Sequence, residues 1–210
     1  MQACPLCHGP VAPFGADKRR HYFQCQDCAL VSADPGSHLQ PEAEKALYDI
    51  HDNQPGDPGY RRFLSRLATP LLARLAPGSQ GLDFGCGPGP ALAAMLEEAG
   101  MAVALYDPYY AADPAPLQAQ YDFVTSTEVV EHFNSPAESW ALLAGLVKPG
   151  GWLGVMTKLV IDQDRFANWH YKNDPTHVSF HSEATFAWLA EHFGFDWQRV
   201  DTDVILLQKR

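Results

Sequence analysis

The stretch Leu82-Asp83-Phe84-Gly85-Cys86-Gly87-Pro88-Gly89-Pro90 reads as the end of a buried strand, a glycine turn and the start of a helix. Glycines at 85, 87 and 89 allow backbone angles and a closeness of approach that a Cβ would forbid. The helix that follows offers unpaired N–H groups to whatever sits in the turn. This is the build of a nucleotide-like cofactor site. A dinucleotide fingerprint, G-x-G-x-x-G, would need its third glycine at position 90, which is Pro90; the spacing here is G-x-G-x-G. Asp83, just ahead of the turn, would repel a pyrophosphate and attract a cationic aminoacyl group. Taken alone, the turn is equally an ordinary tight connection between a strand and a helix.

Three more segments follow in order. Met101 to Asp107 is a second apolar run that ends in an acid, Tyr121 to Thr127 is a third that leads into Glu128-Val129-Val130-Glu131-His132, and Leu146-Val147-Lys148-Pro149-Gly150-Gly151-Trp152-Leu153 turns into a fourth. With the glycine turn, they resemble the class I S-adenosylmethionine (SAM)-dependent methyltransferases over roughly residues 79 to 210. The resemblance implies an α/β fold with a Rossmann-like sheet and SAM as cofactor. It also implies that Asp107 binds both ribose hydroxyls, with Asp83, Gly85, Cys86, Gly87, Gly89, Thr127 and Glu128 as the other cofactor contacts. Read from its type alone, Asp107 could instead cap the turn before Pro108, and Cys86 could serve as a small buried residue.

Helical spacing of Tyr60, Phe63, Leu64, Leu67, Leu71, Leu72 and Leu75 predicts an amphipathic helix, broken or kinked at Pro70, with Thr69 capping a restarted segment. Pro55, Gly56, Pro58 and Gly59 make residues 51 to 59 a loop, which could act as a lid because the resemblance implies that the helix after it covers the cofactor cleft, and a polar helix is expected from Pro41 to Ile50. Further helices are expected at 90–99, at 136–147 with a capping box from Ser135 and Glu138, and at 183–193 with Ser182 as cap and Gly194 as stop. Phe195 to Val200 and Val204 to Gln208, joined by only three residues, must pair antiparallel. Between Asp107 and Tyr121 lie thirteen residues with three prolines, short for a helix and a third strand, so that sheet edge is expected to be truncated.

Cys4-x2-Cys7 and, seventeen residues on, Cys25-x2-Cys28 have the spacing of a tetrahedral zinc site. Four sulfurs would close the coordination sphere, so the zinc would be structural and the module a small ribbon. Disulfides are the alternative. The expected organisation is a ribbon over 1–31, a linker and helical lid over 32–78, and a methyltransferase domain over 79–210.

Acidic side chains outnumber basic ones 25 to 15, for a formal net charge of −10, which disfavours a nucleic-acid partner unless a basic patch such as Lys18-Arg19-Arg20 forms. No apolar run suggests a membrane span or secretory signal, so a cytoplasmic location is expected. The expected reaction is methyl transfer to an oxygen, nitrogen or carbon of a small-molecule or lipid-linked acceptor. The alternatives are an RNA base methyltransferase gripping RNA through its ribbon and a non-catalytic SAM-binding interaction module. Two places could supply a base: His132, with Glu131 beside it, and the histidine-rich segment from His170 to His181, in which His177 is preferred. Each of these histidines could equally be a scaffold.

Overall fold

The computed structural model describes residues 3–50 and 54–210. The expected lid loop at 51–59 therefore falls partly outside the described residues. The fold opens with a hairpin, β1 (Val11–Ala16) and β2 (His21–Cys25), followed by β3 (Val31–Ala33) and the helices α1 (Pro41–Tyr48) and α2 (Pro58–Leu72). An alternating unit then runs β4 (Gln80–Phe84), α3 (Ala91–Glu98), β5 (Ala102–Tyr106), β6 (Tyr121–Thr127), α4 (Pro136–Leu146) and β7 (Val147–Met156). The chain continues through α5 (Gln163–Ala167) and β8 (Ser179–Phe180) to α6 (Glu183–Phe193), and ends with β9 (Phe195–Asp201) and β10 (Val204–Lys209).

Six strands form one sheet in the order β5-β4-β6-β7-β10-β9, parallel through β7 and antiparallel at the terminal hairpin. β5 is an edge strand, because the short segment after it makes only a turn of 3-10 helix at Ala115–Gln118, as the three prolines foretold. Both faces of the sheet are covered, which explains the continuous apolar runs. Along β10, Val204 and Leu206 pack on α2 and α3 (Leu64, Leu67, Leu71, Leu92), whereas Ile205 and Leu207 pack on α4 and α6 (Trp140, Leu143, Phe186, Leu189).

Two local expectations are corrected. α2 runs unbroken through Pro70: the proline removes one N–H to carbonyl bond, and only two helical residues follow it, so little helix is left to be tilted away. Thr69 is therefore interior, and its carbonyl accepts from Ala73. At α4, Ser135 is the N-cap residue, but its side chain makes no capping bond, so the capping box is absent. A first-turn N–H of α4, that of Ala137, is taken instead by the carbonyl of Pro5 in the first cysteine knuckle, at 3.2 Å.

That contact is one of several that join the cysteine segment to the larger sheet. β3 pairs with β2 on one side and with β8 on the other, so a second, four-stranded sheet β1-β2-β3-β8 spans both halves of the chain and crosses the expected boundary at residues 31 and 32. Leu6 and Leu30, which follow the first cysteine of one knuckle and the last of the other, share an apolar cluster with Phe133 and Trp140. None of the described helices is long and apolar enough to cross a membrane.

Candidate functional site

The glycine turn lies where the parallel strands end, the usual place for a ligand crevice in an open α/β sheet. Gly85 has φ +79°, and a Cβ there would sit 2.4 Å from Val129; Gly87 has φ +63°. Only glycine satisfies both demands at 85. The turn opens into a cavity of about 780 Å³, large enough for a cofactor and a small partner together. Asp83, Gly85, Cys86, Gly87, Asp107, Thr127, Glu128, His132 and His177 all line it. Gly89 does not: it is buried behind the turn, its carbonyl accepting from Ala91 at 2.7 Å.

The Asp107 carboxylate knits the turn to the next loop. One oxygen accepts from the Gly87 N–H (3.0 Å), the other from the N–H groups of Tyr109 (2.8 Å) and Tyr110 (3.1 Å). Both tyrosine hydroxyls then reach the first helix: Tyr109 donates to Glu44 (2.9 Å) and Tyr110 to Asp49 (2.7 Å). Asp83 is buried and accepts from the Thr125 hydroxyl at 2.8 Å, while burial, reinforced by the charge of Asp107, pushes its carboxyl up to about 6. Burial also raises the Cys86 thiol to about 12, so it is no nucleophile at neutral pH.

Glu128 sits in the left-handed region at φ 53°, unusual for a residue with a side chain, and its N–H is pinned to the Met156 carbonyl (2.8 Å). One carboxylate oxygen has no partner and the other meets the Tyr171 hydroxyl at 3.3 Å. Burial first, then the charges of Glu131 and Asp203, push this carboxyl up to about 8 against the opposing pull of Lys158 and Tyr171. A folded-state value above the unfolded 4.5 means that the native protein holds a proton the unfolded chain has released, so stability falls as pH rises from 4.5 through 8. Glu128→Gln cannot titrate. Its stability relative to the parent is expected to climb across that window at up to roughly 1.4 kcal/mol per pH unit, read from urea midpoints; a pH-independent difference would refute the buried protonated state.

His132 and His177 lie side by side, ring centroids 4.7 Å apart. His177 Nδ1 is 2.7 Å from the Tyr171 carbonyl and His132 Nδ1 is 3.2 Å from the Thr176 carbonyl. A carbonyl only accepts, so each Nδ1 carries a proton, and in a neutral ring Nε2 would be the basic nitrogen. Burial lowers the His177 pKa and favours the neutral ring. The Tyr171 hydroxyl also donates to Glu131, whose second oxygen lacks a partner. Glu131, His132 and His177 bring donor atoms within 4.8 Å of one another, close enough to share a cation.

The other histidines of the segment go elsewhere. His170 is exposed, beside Lys158. His181 is buried on the far side of β8, where it accepts from the Trp140 indole at 3.0 Å and burial drives its pKa down to about 3. Sequence reasoning missed Tyr48, whose ring meets His132 edge-on at 5.2 Å and which lines the cavity with Glu44. It also missed Tyr109, Tyr110 and Tyr171. The available signal was the pair of tyrosines directly after the Asp107 loop begins.

The four ribbon cysteines gather as their spacing suggests. Cys4 and Cys28 Sγ are 3.5 Å apart, Cys7 and Cys25 Sγ 3.3 Å, and all four sulfurs lie within 4.8 Å of one another. These separations are far beyond a disulfide bond, and they approach the edge of about 3.8 Å that a tetrahedron with Zn–S bonds of about 2.3 Å would have. Leu6 N–H points at Cys4 Sγ (3.4 Å) and Asp27 N–H at Cys25 Sγ (3.4 Å), the bonds that steady a thiolate. His8 and Ala29, each directly after its knuckle's second cysteine, share the same left-handed backbone (φ 62° and 58°). The donor set and its shape thus fit zinc.

Comparison with known proteins agrees with this geometry. A search of curated proteins finds no match. Among solved structures, the fold resembles the Burkholderia thailandensis 1,6-didemethyltoxoflavin-N1-methyltransferase with bound 1,6-didemethyltoxoflavin and S-adenosylhomocysteine (TM-score 0.58, 17% identity, covering 94% of this chain and 98% of that one). It also resembles the magnesium protoporphyrin IX methyltransferase of Synechocystis PCC 6803 with bound S-adenosylhomocysteine (TM-score 0.53, 15% identity, 80% of this chain and 94% of that one). Residues 59–200, more than half of the chain, match the profile of a family described as a methyltransferase domain. The chain belongs to that family and is a class I SAM-dependent methyltransferase.

Proposed function

We propose that the protein transfers a methyl group from SAM to an oxygen, nitrogen or carbon of a small-molecule or lipid-linked acceptor. One observation carries this reading: the glycine-turn side of the cavity, with Asp83, Gly87 and Asp107, is continuous with a side lined by Tyr48, His132, Asp174 and His177. SAM supplies an electrophilic methyl on a sulfonium. In this reading, Asp107 takes the ribose hydroxyls with the lone pairs its backbone bonds leave free, and Gly85, Cys86 and Gly87 give the turn its close approach, Gly89 serving only to shape it. Asp83, Thr127 and Glu128 line the cavity toward the cationic aminoacyl end. The two small-molecule names above belong to those other proteins.

His177 is the preferred proton acceptor. Its Nδ1–H is tied back to Tyr171, which leaves Nε2 as a base, and the lowered pKa keeps that base neutral. His132 is the second candidate, on the same reasoning for its Nδ1. The four cysteines would hold a structural zinc with no position open to water. A division into ribbon, lid and methyltransferase segments at 1–31, 32–78 and 79–210, and a cytoplasmic setting, complete the proposal.

An RNA acceptor through the ribbon is disfavoured, because Arg20, one of the three basic residues that could have formed a patch, is turned inside the protein. The deciding experiment incubates the protein with methyl-labelled SAM and fractionated cell extract. Label in small molecules or lipids is expected. Label confined to RNA would replace this reading with the RNA one, and SAM binding without any label transfer would favour the non-catalytic alternative.

A further inference from the structure

Arg20 is the last residue of the β1–β2 turn and is only 6% exposed. Its guanidinium faces the backbone of the segment that carries His177. Nη1 donates to the carbonyls of His177 (2.7 Å) and Pro175 (3.4 Å), and Nη2 to those of Asp174 (3.0 Å) and Lys172. The carbonyls of Pro175 and His177 have Arg20 as their donor, while that of Asp174 also accepts from the His177 N–H (3.2 Å) and that of Lys172 from the Tyr22 hydroxyl (3.4 Å); a planar fork of five N–H groups is the side chain that can reach all four together. The turn that presents Arg20 is itself fixed: Asp17 accepts from the N–H groups of Arg19 (2.8 Å) and Arg20 (2.9 Å), from the Tyr22 hydroxyl (2.8 Å) and from the buried Lys172 ammonium (3.2 Å).

The same loop is held from two other sides. The Ala33 N–H donates to the Val178 carbonyl (2.9 Å), the Val178 N–H to the Glu131 carbonyl (2.8 Å), and the Ser179 hydroxyl to the Phe133 carbonyl (2.8 Å). His177 is thus clamped between the ribbon behind it and the His132 segment in front. We propose that Arg20 is a positioning residue for methyl transfer, by which the cysteine ribbon holds residues 172–177 so that His177 presents Nε2 to the acceptor. This rests on the reading of His177 as the acceptor-side base. It gives the ribbon a place in the reaction, as the back wall of the acceptor site.

The test uses the full chain, with S-adenosylhomocysteine added for the amide-exchange and NMR measurements only, and compares the parent with Arg20→Ala and with Arg20→Lys, whose single ammonium cannot span four carbonyls. If Arg20→Ala fails to fold, Arg20→Lys carries the test. Amide exchange in peptides covering 172–177 is expected to quicken by about ten-fold or more in the alanine variant and less in the lysine variant, while β4 and β6 keep their parental rates. SAM affinity by calorimetry should stay within about two-fold. In 13C-histidine-labelled protein the His177 ring resonance, assigned by its loss in His177→Gln, should move. Label transfer from SAM into extract should fall with the KM for SAM unchanged, and lysine should restore part of it. Unchanged exchange at 172–177, or a loss of protection spread equally over β4 and β6, would overturn the proposal. Parental transfer by His177→Gln would overturn the reading of His177; parental transfer by Arg20→Ala where His177→Gln has lost it would overturn the role of Arg20 alone.

Discussion

Asp107→Ala is expected to weaken SAM binding by about ten- to a hundred-fold in calorimetry, since hydrogen bonds to a charged group are worth about 1.5–3 kcal/mol. The effect has two sources. The proposed ribose bonds disappear, and three N–H groups, of Gly87, Tyr109 and Tyr110, lose the carboxylate that organises them. With Tyr109 and Tyr110 released, their bonds to Glu44 and Asp49 loosen as well, so α1 should lose its hold on the cavity. Asp107→Asn separates the sources: one amide oxygen can still serve Tyr109 and Tyr110, whereas the charge is gone. Its melting temperature should lie nearer the parent than that of the alanine variant, with affinity still reduced. Parental affinity in both variants would refute the ribose assignment.

Metal removal should have the largest effect on stability. If the four cysteines hold zinc, stripping it with a strong chelator, or replacing a ligand by Cys28→Ser, leaves the knuckles without that cross-link; in small zinc-finger peptides it is worth about 10–16 kcal/mol. Leu6 and Leu30 stay packed against Phe133 and Trp140, so part of this is retained by the apolar cluster. A loss of several kcal/mol remains, and at this chain length it should lower the melting temperature by about 10 °C or more. Because the ribbon shares a cluster and a sheet with the methyltransferase core, calorimetry should show one transition moved down, not a ribbon melting separately. Purified protein that holds no metal by elemental analysis, or melts unchanged after chelation, would refute the zinc site.

Much of the sheet was legible because its signals are local. Asp83 to Gly89 gives strand, turn and helix in one short run, Gly194 ends α6 in a left-handed conformation, and three residues between β9 and β10 permit only an antiparallel pair. The cysteine spacing likewise encodes its own geometry. What was not legible depends on partners distant in sequence. Ser135 and Glu138 spell a capping box, yet Pro5 supplies the first-turn acceptor. His177 and His181 look alike in the chain, and only the pairing of Ser179 and Phe180 with β3 sends one to the cavity and the other into the core beside Trp140. The left-handed backbone at Ala29 and Glu128 could not be read either, because these residue types carry no preference for it, and the weak preference of histidine does not single out His8 among nine histidines.

The strand β8 also bears on how the chain comes to be folded. β3 is made well before its partner strand at Ser179–Phe180, so a ribosome would present the growing β1–β2–β3 segment with one edge unsatisfied until that strand emerges. Such a sequence-distant pairing is slow to form and leaves an adhesive border exposed meanwhile. The charged and polar β1–β2 turn, Asp17-Lys18-Arg19-Arg20, stands at the other end of that hairpin from the cysteines and would keep this nascent species in solution until its last strand arrives.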